Sequence, residues 1–364
     1  TPARAAALAN GTISHALDYD DTHFAHIGHP SVAVLPAALA VAETEDASGA
    51  DLLTAALIGG EASIRVGLWL GRSHYQAGFH QTATAGAFGA TLAAAKLMHL
   101  SEAQTETALN LAATRASGLK SQFGAMGKPY NAGIAAANGV ECAQLARLGM
   151  TAASDGLASA HGFGPTHHGA RDTAPFKQGG TWHVDQISHK FHACCHGTHA
   201  ALEALGQSAP HLAGEIEQVQ ITTHPRWLTV CDIKRPSSGL EVKFSYAHTA
   251  AMALSGVSTA ALDSFSDAVV ADPALQSLAK RVVVIADDLM AETASSVRVR
   301  TSDGETDHVH DLATPISLAE LTGKLTAKST ALLGKDEAET LWSIVNSGAE
   351  PAQIGALLRG RDAL

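Results

Sequence analysis

The sequence predicts an α+β protein that is predominantly α, and three observations lead to that expectation. Runs of Ala, Leu and Ile with few charges fill residues 31–120. Past about residue 210 the pattern changes to period-two alternation, as in E-I-E-Q-V-Q-I-T-T-H. From Ser317 it turns helical again. Apolar residues make up 46% of the 364 and aromatic residues only 5%, so the core is large and built from small side chains. Such cores let helices approach closely.

In chain order, the runs at 31–44, 50–71 and 83–99 read as buried helices. Ser101 and Gln104 form a capping box for a helix running to about Ala116, and Gly118 suits its stop. A further helix is expected from about Ala132 to Leu148, closed by Gly149. Residues 151–190, rich in Gly, His and Thr, read as irregular linking sequence. R-V-V-V-I-A and S-S-V-R-V-R-T are expected strands, S-D-G-E-T a turn, and 241–255 a helix among them. Capping boxes at Ser317/Glu320 and Asp336/Glu339 open the last helices. The expected layout is a helical domain, an α+β insertion and a helical return.

With 24 basic and 35 acidic side chains the formal charge is −11, which argues against a general nucleic-acid binder. A local group of Lys and His can still draw a small anion. No uninterrupted apolar run reaches 18 residues, so no membrane span is expected. The four cysteines make no disulfide framework for this length. Walker, G-x-G-x-x-G and G-x-S-x-G motifs are missing.

Five stretches carry candidate chemistry. Residues 16–31 hold Asp18, Asp20, Asp21, Thr22, His23, His26 and His29; Asp18, Thr22, His26 and His29 fall near helical spacing. Residues 71–82 bring His74, Tyr75, His80 and Thr82 between two apolar runs. In G-A-M-G-K-P-Y-N-A-G, Lys128 precedes Pro129 and is expected extended, just outside a helix whose free N–H groups would help hold a carboxylate. In K-F-H-A-C-C-H-G-T-H, His192, His196 and His199 tempt a zinc reading with the two thiols, as do His23, His26 and His29. Neither set has a closed four-ligand spacing, so no metal is expected. Last, K-F-S-Y-A-H sets Tyr246 and His248 near a helix start. Asp, His, Lys and Tyr without a cofactor motif suit proton abstraction beside a carboxylate.

The run A-N-G-T-I-S-H-A-L-D-Y-D-D-T followed by H-P-S resembles the MmgE/PrpD family, as do G-F-H-Q-T, K-P-Y-N-A-G, C-C-H-G-T-H-A-A-L-E-A and K-F-S-Y-A-H. The resemblance covers nearly the whole chain in family order. It implies a large helical domain from both chain ends, 1–188 and 318–364, with a smaller α+β lid at 189–317. It also implies no cofactor, a homodimer, a cytoplasmic setting, and a segment missing before residue 1. By position, Asp18, His29, His80 and Lys128 become the catalytic set, with Tyr75 as a further acid or base. Thr22, Lys128, His199, Tyr246 and His248 become substrate contacts. The family's lid tyrosine falls on His248, a frequent histidine falls on Asn131, and the Thr22–His29 loop is one residue longer than in the decarboxylase.

The expected function is therefore a lyase that removes a proton beside a carboxylate of a small di- or tricarboxylate. A 2-methylcitrate-type dehydratase of propionate metabolism comes first. A dicarboxylate epimerase, such as one for iminodisuccinate, follows closely. The departures put a cis-aconitate-type decarboxylase behind both, and a non-catalytic metal- or ligand-binding protein is the alternative of another class. Lys128 is expected to hold a substrate carboxylate, His29 and His80 to move protons, and Asp18 to orient an imidazole.

Overall fold

A computed structural model describes residues 1–177 and 180–359, and it is an α+β fold dominated by helices. The chain forms two compact units, one from Thr1–His189 with Glu339–Leu364, the other from Lys190–Ala338. Helix Leu318–Leu333 thus counts with the second unit.

The first unit is built on six helices: α1 (Ala3–His15), α2 (Ser31–Thr44), α3 (Gly49–Gln76), α4 (Gln81–Leu97), α5 (Glu102–Arg115) and α6 (Gly127–Arg147). α4 is its centre, packed against α2, α3, α5 and α6, and nearly every α4 residue is buried. Glycines make this approach possible. A Cβ on Gly11 of α1 would stand 3.0 Å from Gly133 Cα of α6, and one on Gly59 of α3 would stand 2.7 Å from Gly89 O of α4. The α1/α6 crossing brings the end of α1 beside the start of α6, where the functional side chains meet. Helix Pro351–Leu358 packs on α2.

α3 is long and apolar enough by length and composition to cross a membrane, yet more than half of that window is buried in the unit. It also carries Glu61, Arg65 and Arg72. It runs five residues past the expected end, through a break at Gly71 (φ +68°). His74, in this added stretch of helix, is a buried side chain bonded to Thr84 Oγ1 at 2.9 Å.

Three other local expectations are corrected. Residues 16–30 are not helical: α1 stops at His15, and Asp18 (φ +52°) and Ile27 (φ +58°) adopt left-handed backbone. α6 starts at Gly127 rather than Ala132, so Lys128 and Pro129 lie inside its first turn. Proline is tolerated there because first-turn N–H groups lack intrahelical partners anyway. The Lys128 N–H is not free, since it donates to Ala125 O at 3.0 Å. The expected 241–255 helix is two pieces, Gly239–Val242 and Tyr246–Leu254, the second capped by Ser245.

The second unit holds a four-stranded sheet of β1 (Ile216–Thr223), β2 (Val282–Ala286), β3 (Ala294–Thr301) and β4 (Gly304–Asp311), in the order β2-β1-β3-β4. β1 runs parallel to β2 and antiparallel to β3. Val219 pairs with Val299 and Ile221 with Val297, giving one apolar face, and helix His199–Ser208 packs against β3 and β4. β4 was not expected. G-E-T-D-H-V-H-D has little apolar alternation because the partly buried face of this edge strand carries Thr306, His308 and His310, while Val309 is exposed.

Candidate active site

Four of the five side chains expected to be catalytic are linked in a single group. Lys128 Nζ pairs with Asp18 Oδ1, and His29 Nε2 lies 3.9 Å from the same oxygen. Asp20 Oδ2 accepts from His15 Nδ1 at 2.8 Å and has His29 Nδ1 at 2.9 Å, the latter at contact distance but outside hydrogen-bond angles. The His15 ring stands edge-on to His29 (4.6 Å between centroids) and stacks on His80 at 5.7 Å. His80 opens α4 but does not cap it; Asn131 Nδ2 of α6 meets its Nδ1 at 3.2 Å.

Each of the three acids has its own task. Asp18 pairs with Lys128 and stands 3.9 Å from His29 Nε2, while Asp20 lies closer to the imidazoles of His15 and His29. Asp21 accepts from Ser31 N–H and Oγ, holding the start of α2, where neither Pro30 nor Ser31 supplies a side-chain cap. Thr22 exchanges backbone hydrogen bonds with Ser188, and His29 N–H donates to Thr82 Oγ1 at 3.1 Å. His23 Nε2 donates to His183 O at 3.2 Å, while Glu61 accepts the His183 and Val184 N–H groups. The loop is thus pinned at both ends.

Burial and charge set the protonation states. Burial pushes the Asp20 carboxyl up, but His29 and His15 beside it outweigh that and hold it well below the usual range. Burial pushes His29 down to about 4 against the pull of Asp20. Burial, followed by His15 and Lys128, takes His80 well below 6.5. At neutral pH the group is an ionised Asp20 beside neutral imidazoles at His29 and His80, the forms needed to accept a proton or donate a hydrogen bond.

His26 does not share this face. Its ring fills a slot between Gly28 and Gly67, fully buried, with Nε2 3.4 Å from Ser63 Oγ. Tyr75 is half-buried, with the Lys120 ammonium 3.8 Å from its ring centre. His199, Tyr246 and His248 belong to the second unit. There His199 Nε2 donates to Cys194 O at 3.3 Å, and Tyr246 donates its buried hydroxyl to Gly197 O at 2.6 Å. His248 is buried, with its N–H directed at Ser245 Oγ.

Among the described residues, one set of His, Cys, Asp or Glu brings ligand atoms within 4.8 Å of one another: His15, Asp18, Asp20 and His29. A cation there would compete with the Lys128 ammonium on Asp18. In the tempting 192–199 segment, burial pushes the Cys194 thiol up to about 12, and His192 is engaged by Thr259 at 2.7 Å.

His15 and Asp20 were missing from the expected site. A signal for His15 was present: Ala3, Ala7, Gly11 and His15 form the i, i+4 stripe that α1 buries.

Both parts of the chain match known protein families. Residues 1–175 match the MmgE/PrpD N-terminal domain and 192–348 the MmgE/PrpD C-terminal domain. A cis-aconitate decarboxylase of Aspergillus terreus is 32% identical over 280 residues, 69% of this chain and 56% of that protein. The chain thus spans little more than half the length of that relative. The human cis-aconitate decarboxylase is 28% identical over 381 residues, 95% of this chain and 76% of that protein. With both of its domains matched in order over most of its length, the chain belongs to the MmgE/PrpD family.

Proposed function

We propose that the protein is a lyase for a small di- or tricarboxylate, and that its reaction is loss of carbon dioxide from a cis-aconitate-type acid. The observation that carries the reading is the Lys128 ammonium, paired with Asp18 beside His29 and close enough to shift both His29 and His80. When a C–CO2 bond breaks, its electron pair stays on carbon and spreads into a neighbouring carboxylate. An ammonium fixed at that carboxylate stabilises the charge, and carbon takes up one solvent proton, relayed through an imidazole nitrogen that first accepts it and then gives it up. One proton is consumed and one carbon dioxide leaves.

The choice of decarboxylation rests on the named relatives, which are cis-aconitate decarboxylases. This reverses the order expected from the sequence, where Asn131, His248 and the longer loop put decarboxylation last. A 2-methylcitrate-type dehydratase is the second reading. It forms an enolate of the same kind by removing a proton beside a carboxylate and then releases the protonated hydroxyl as water, and His29, unprotonated at neutral pH, is available to accept the proton. The epimerase reading, with Tyr75 as its opposite-face acid, is weaker because the named relatives are decarboxylases. A homodimer is part of the proposal and is read by light scattering.

The test is proton NMR in D2O with cis-aconitate, citrate, 2-methylcitrate and iminodisuccinate, beside the Lys128→Ala variant. Consumption of cis-aconitate to a product with one carboxylate fewer, abolished in the variant, is the expected result. Alkene growth from 2-methylcitrate with cis-aconitate untouched would replace the decarboxylase by the dehydratase. Loss of an α-proton signal without an alkene would mean an epimerase.

A further inference from the structure

We infer that Asn131 is a positioning residue that holds the His80 imidazole as its Nε2–H tautomer, so that His80 serves the reaction as a neutral hydrogen-bond donor and proton transfer falls to His29. The inference rests on the proposed function for its chemistry, but not for its geometry.

The geometry is a chain of donors and acceptors with one solution. Asn131 is buried in the first turns of α6, and its Nδ2 faces two partners, Leu119 O and His80 Nδ1, each at 3.2 Å. A carbonyl oxygen can only accept. The amide therefore presents its NH2 to Leu119, and turning it over would set two carbonyl oxygens against each other. The second hydrogen of that NH2 then meets His80 Nδ1, which must offer a lone pair. In a neutral imidazole the proton is then on Nε2.

Neither end of this relay can slide. Phe79 and Leu119 form an antiparallel bridge, and the His80 N–H donates to Gly118 O at 2.9 Å. The ring itself is set edge-on to Phe123 at 4.9 Å and stacked on His15. Burial and the surrounding charges keep it neutral: His15 of α1, Lys128 of α6 and His29 oppose a proton on it, and Asp20 alone favours one. A neutral imidazole holds its N–H proton firmly, so it polarises a substrate oxygen instead of giving the proton away. His29 has the opposite bias. Asp20 at its Nδ1 favours the proton there, which leaves the Nε2 lone pair on the side of Asp18 and Lys128.

Long-range 1H–15N correlation on protein carrying 15N-labelled histidine reads the tautomer directly, without substrate. The His80 signals are those lost in His80→Gln. Nδ1 is expected in the unprotonated range and Nε2 in the protonated range. In Asn131→Asp the carboxylate accepts, and the proton is expected to move to Nδ1. Protonated Nδ1 in the unsubstituted protein, or an unchanged spectrum in Asn131→Asp, would overturn the inference. Should Asn131→Asp not fold, Asn131→Ala is expected to give averaged shifts for the two nitrogens. In turnover, Asn131→Asp is expected to lower kcat by about a hundredfold, the usual scale for one preorganised donor, with KM nearly unchanged. His80→Gln keeps an N–H donor and is expected to retain clearly more activity than His80→Ala. Equal loss in both would assign proton transfer to His80 and refute the donor role. If the unsubstituted protein turns over none of the four acids, the proposed function fails, while the spectra still decide the tautomer.

Discussion

His26 makes acid stability a direct test of the buried histidine layer. Its ring sits in the slot between Gly28 and Gly67, and burial, followed by the fields of His23 and His29, pushes it down to about 3. In the unfolded chain its value returns to about 6.5. The folded value is the lower one, so the native ring stays neutral while the unfolded chain takes up a proton as pH falls below about 6.5. Stability from this residue is therefore complete above that pH and is lost as pH falls from there towards 3. Going from pH 8 to pH 5 crosses about one and a half units at about 1.4 kcal/mol each, a loss of about 2 kcal/mol from His26. His26→Gln removes the titration but keeps a polar end near Ser63 Oγ. Urea unfolding of both proteins at pH 8 and pH 5, followed by far-UV circular dichroism, measures the difference. The variant, whatever its stability at pH 8, is expected to lose about 2 kcal/mol less on acidification. Two parallel pH profiles would show that His26 is charged or solvated in the native state, and the buried-layer argument would fall.

Two further outcomes are expected. Lys128→Met, which keeps the side chain's length and removes its charge, should lower kcat/KM by about a hundredfold or more on whichever acid is turned over. Activity within a few-fold of the parent would take Lys128 out of the chemistry. Burial pushes the Cys142 and Cys194 thiols up to about 12 and Cys231 well above its ordinary value. At pH 8 these three should stay unmodified by an aromatic disulfide reagent until denaturant is added, and mass spectrometry of the native protein showing any of them labelled within minutes would contradict this.

Much of the site was legible because its signals are local. A lysine at a helix start and a dense run of Asp and His are visible in residues 124–133 and 16–31 without any knowledge of the fold. The pairing inside the run was not legible, because it depends on backbone that sequence periodicity does not describe. Asp18 and Ile27 adopt left-handed conformations, so helical spacing assigned His26 to the wrong side. The family resemblance pointed to Asp18 but not to the neighbouring pair in which α1 ends in time to turn His15 onto Asp20. The helical fold could be read from small-residue runs, since these have one physical use. The edge strand β4 could not, since its partly buried face is polar and leaves no apolar period. Asn131 shows a third kind of limit. Its position beside Lys128 was plain, but its effect on His80 depends on the Leu119 carbonyl, which comes from an irregular segment between helices.

The small-residue core can be tested at two adjacent positions with opposite expected signs. Gly59 and Gly60 are both buried in α3. A Cβ on Gly59 would come within 2.7 Å of Gly89 O and Val34 Cγ1 and 2.9 Å of Ala93 Cβ, so α3 and α4 would have to separate. A Cβ on Gly60 meets nothing within 4 Å. Gly59→Ala forces backbone apart and should destabilise by about 1–3 kcal/mol, the usual cost of overpacking. Gly60→Ala should instead stabilise by about 0.5–1 kcal/mol, because alanine loses less backbone entropy in a helix and finds room here. Helix propensity alone predicts a gain at both positions, so thermal unfolding of the two variants separates propensity from packing. α4 opens with His80, so a separated α3/α4 pair should also disturb the His80–Asn131 contact. A shifted His80 ring signal in Gly59→Ala, and an unshifted one in Gly60→Ala, would tie the helix crossing to the site. Equal stabilisation by both alanines would mean that the crossing is not tight, and the geometric link from glycine to His80 would fail with it.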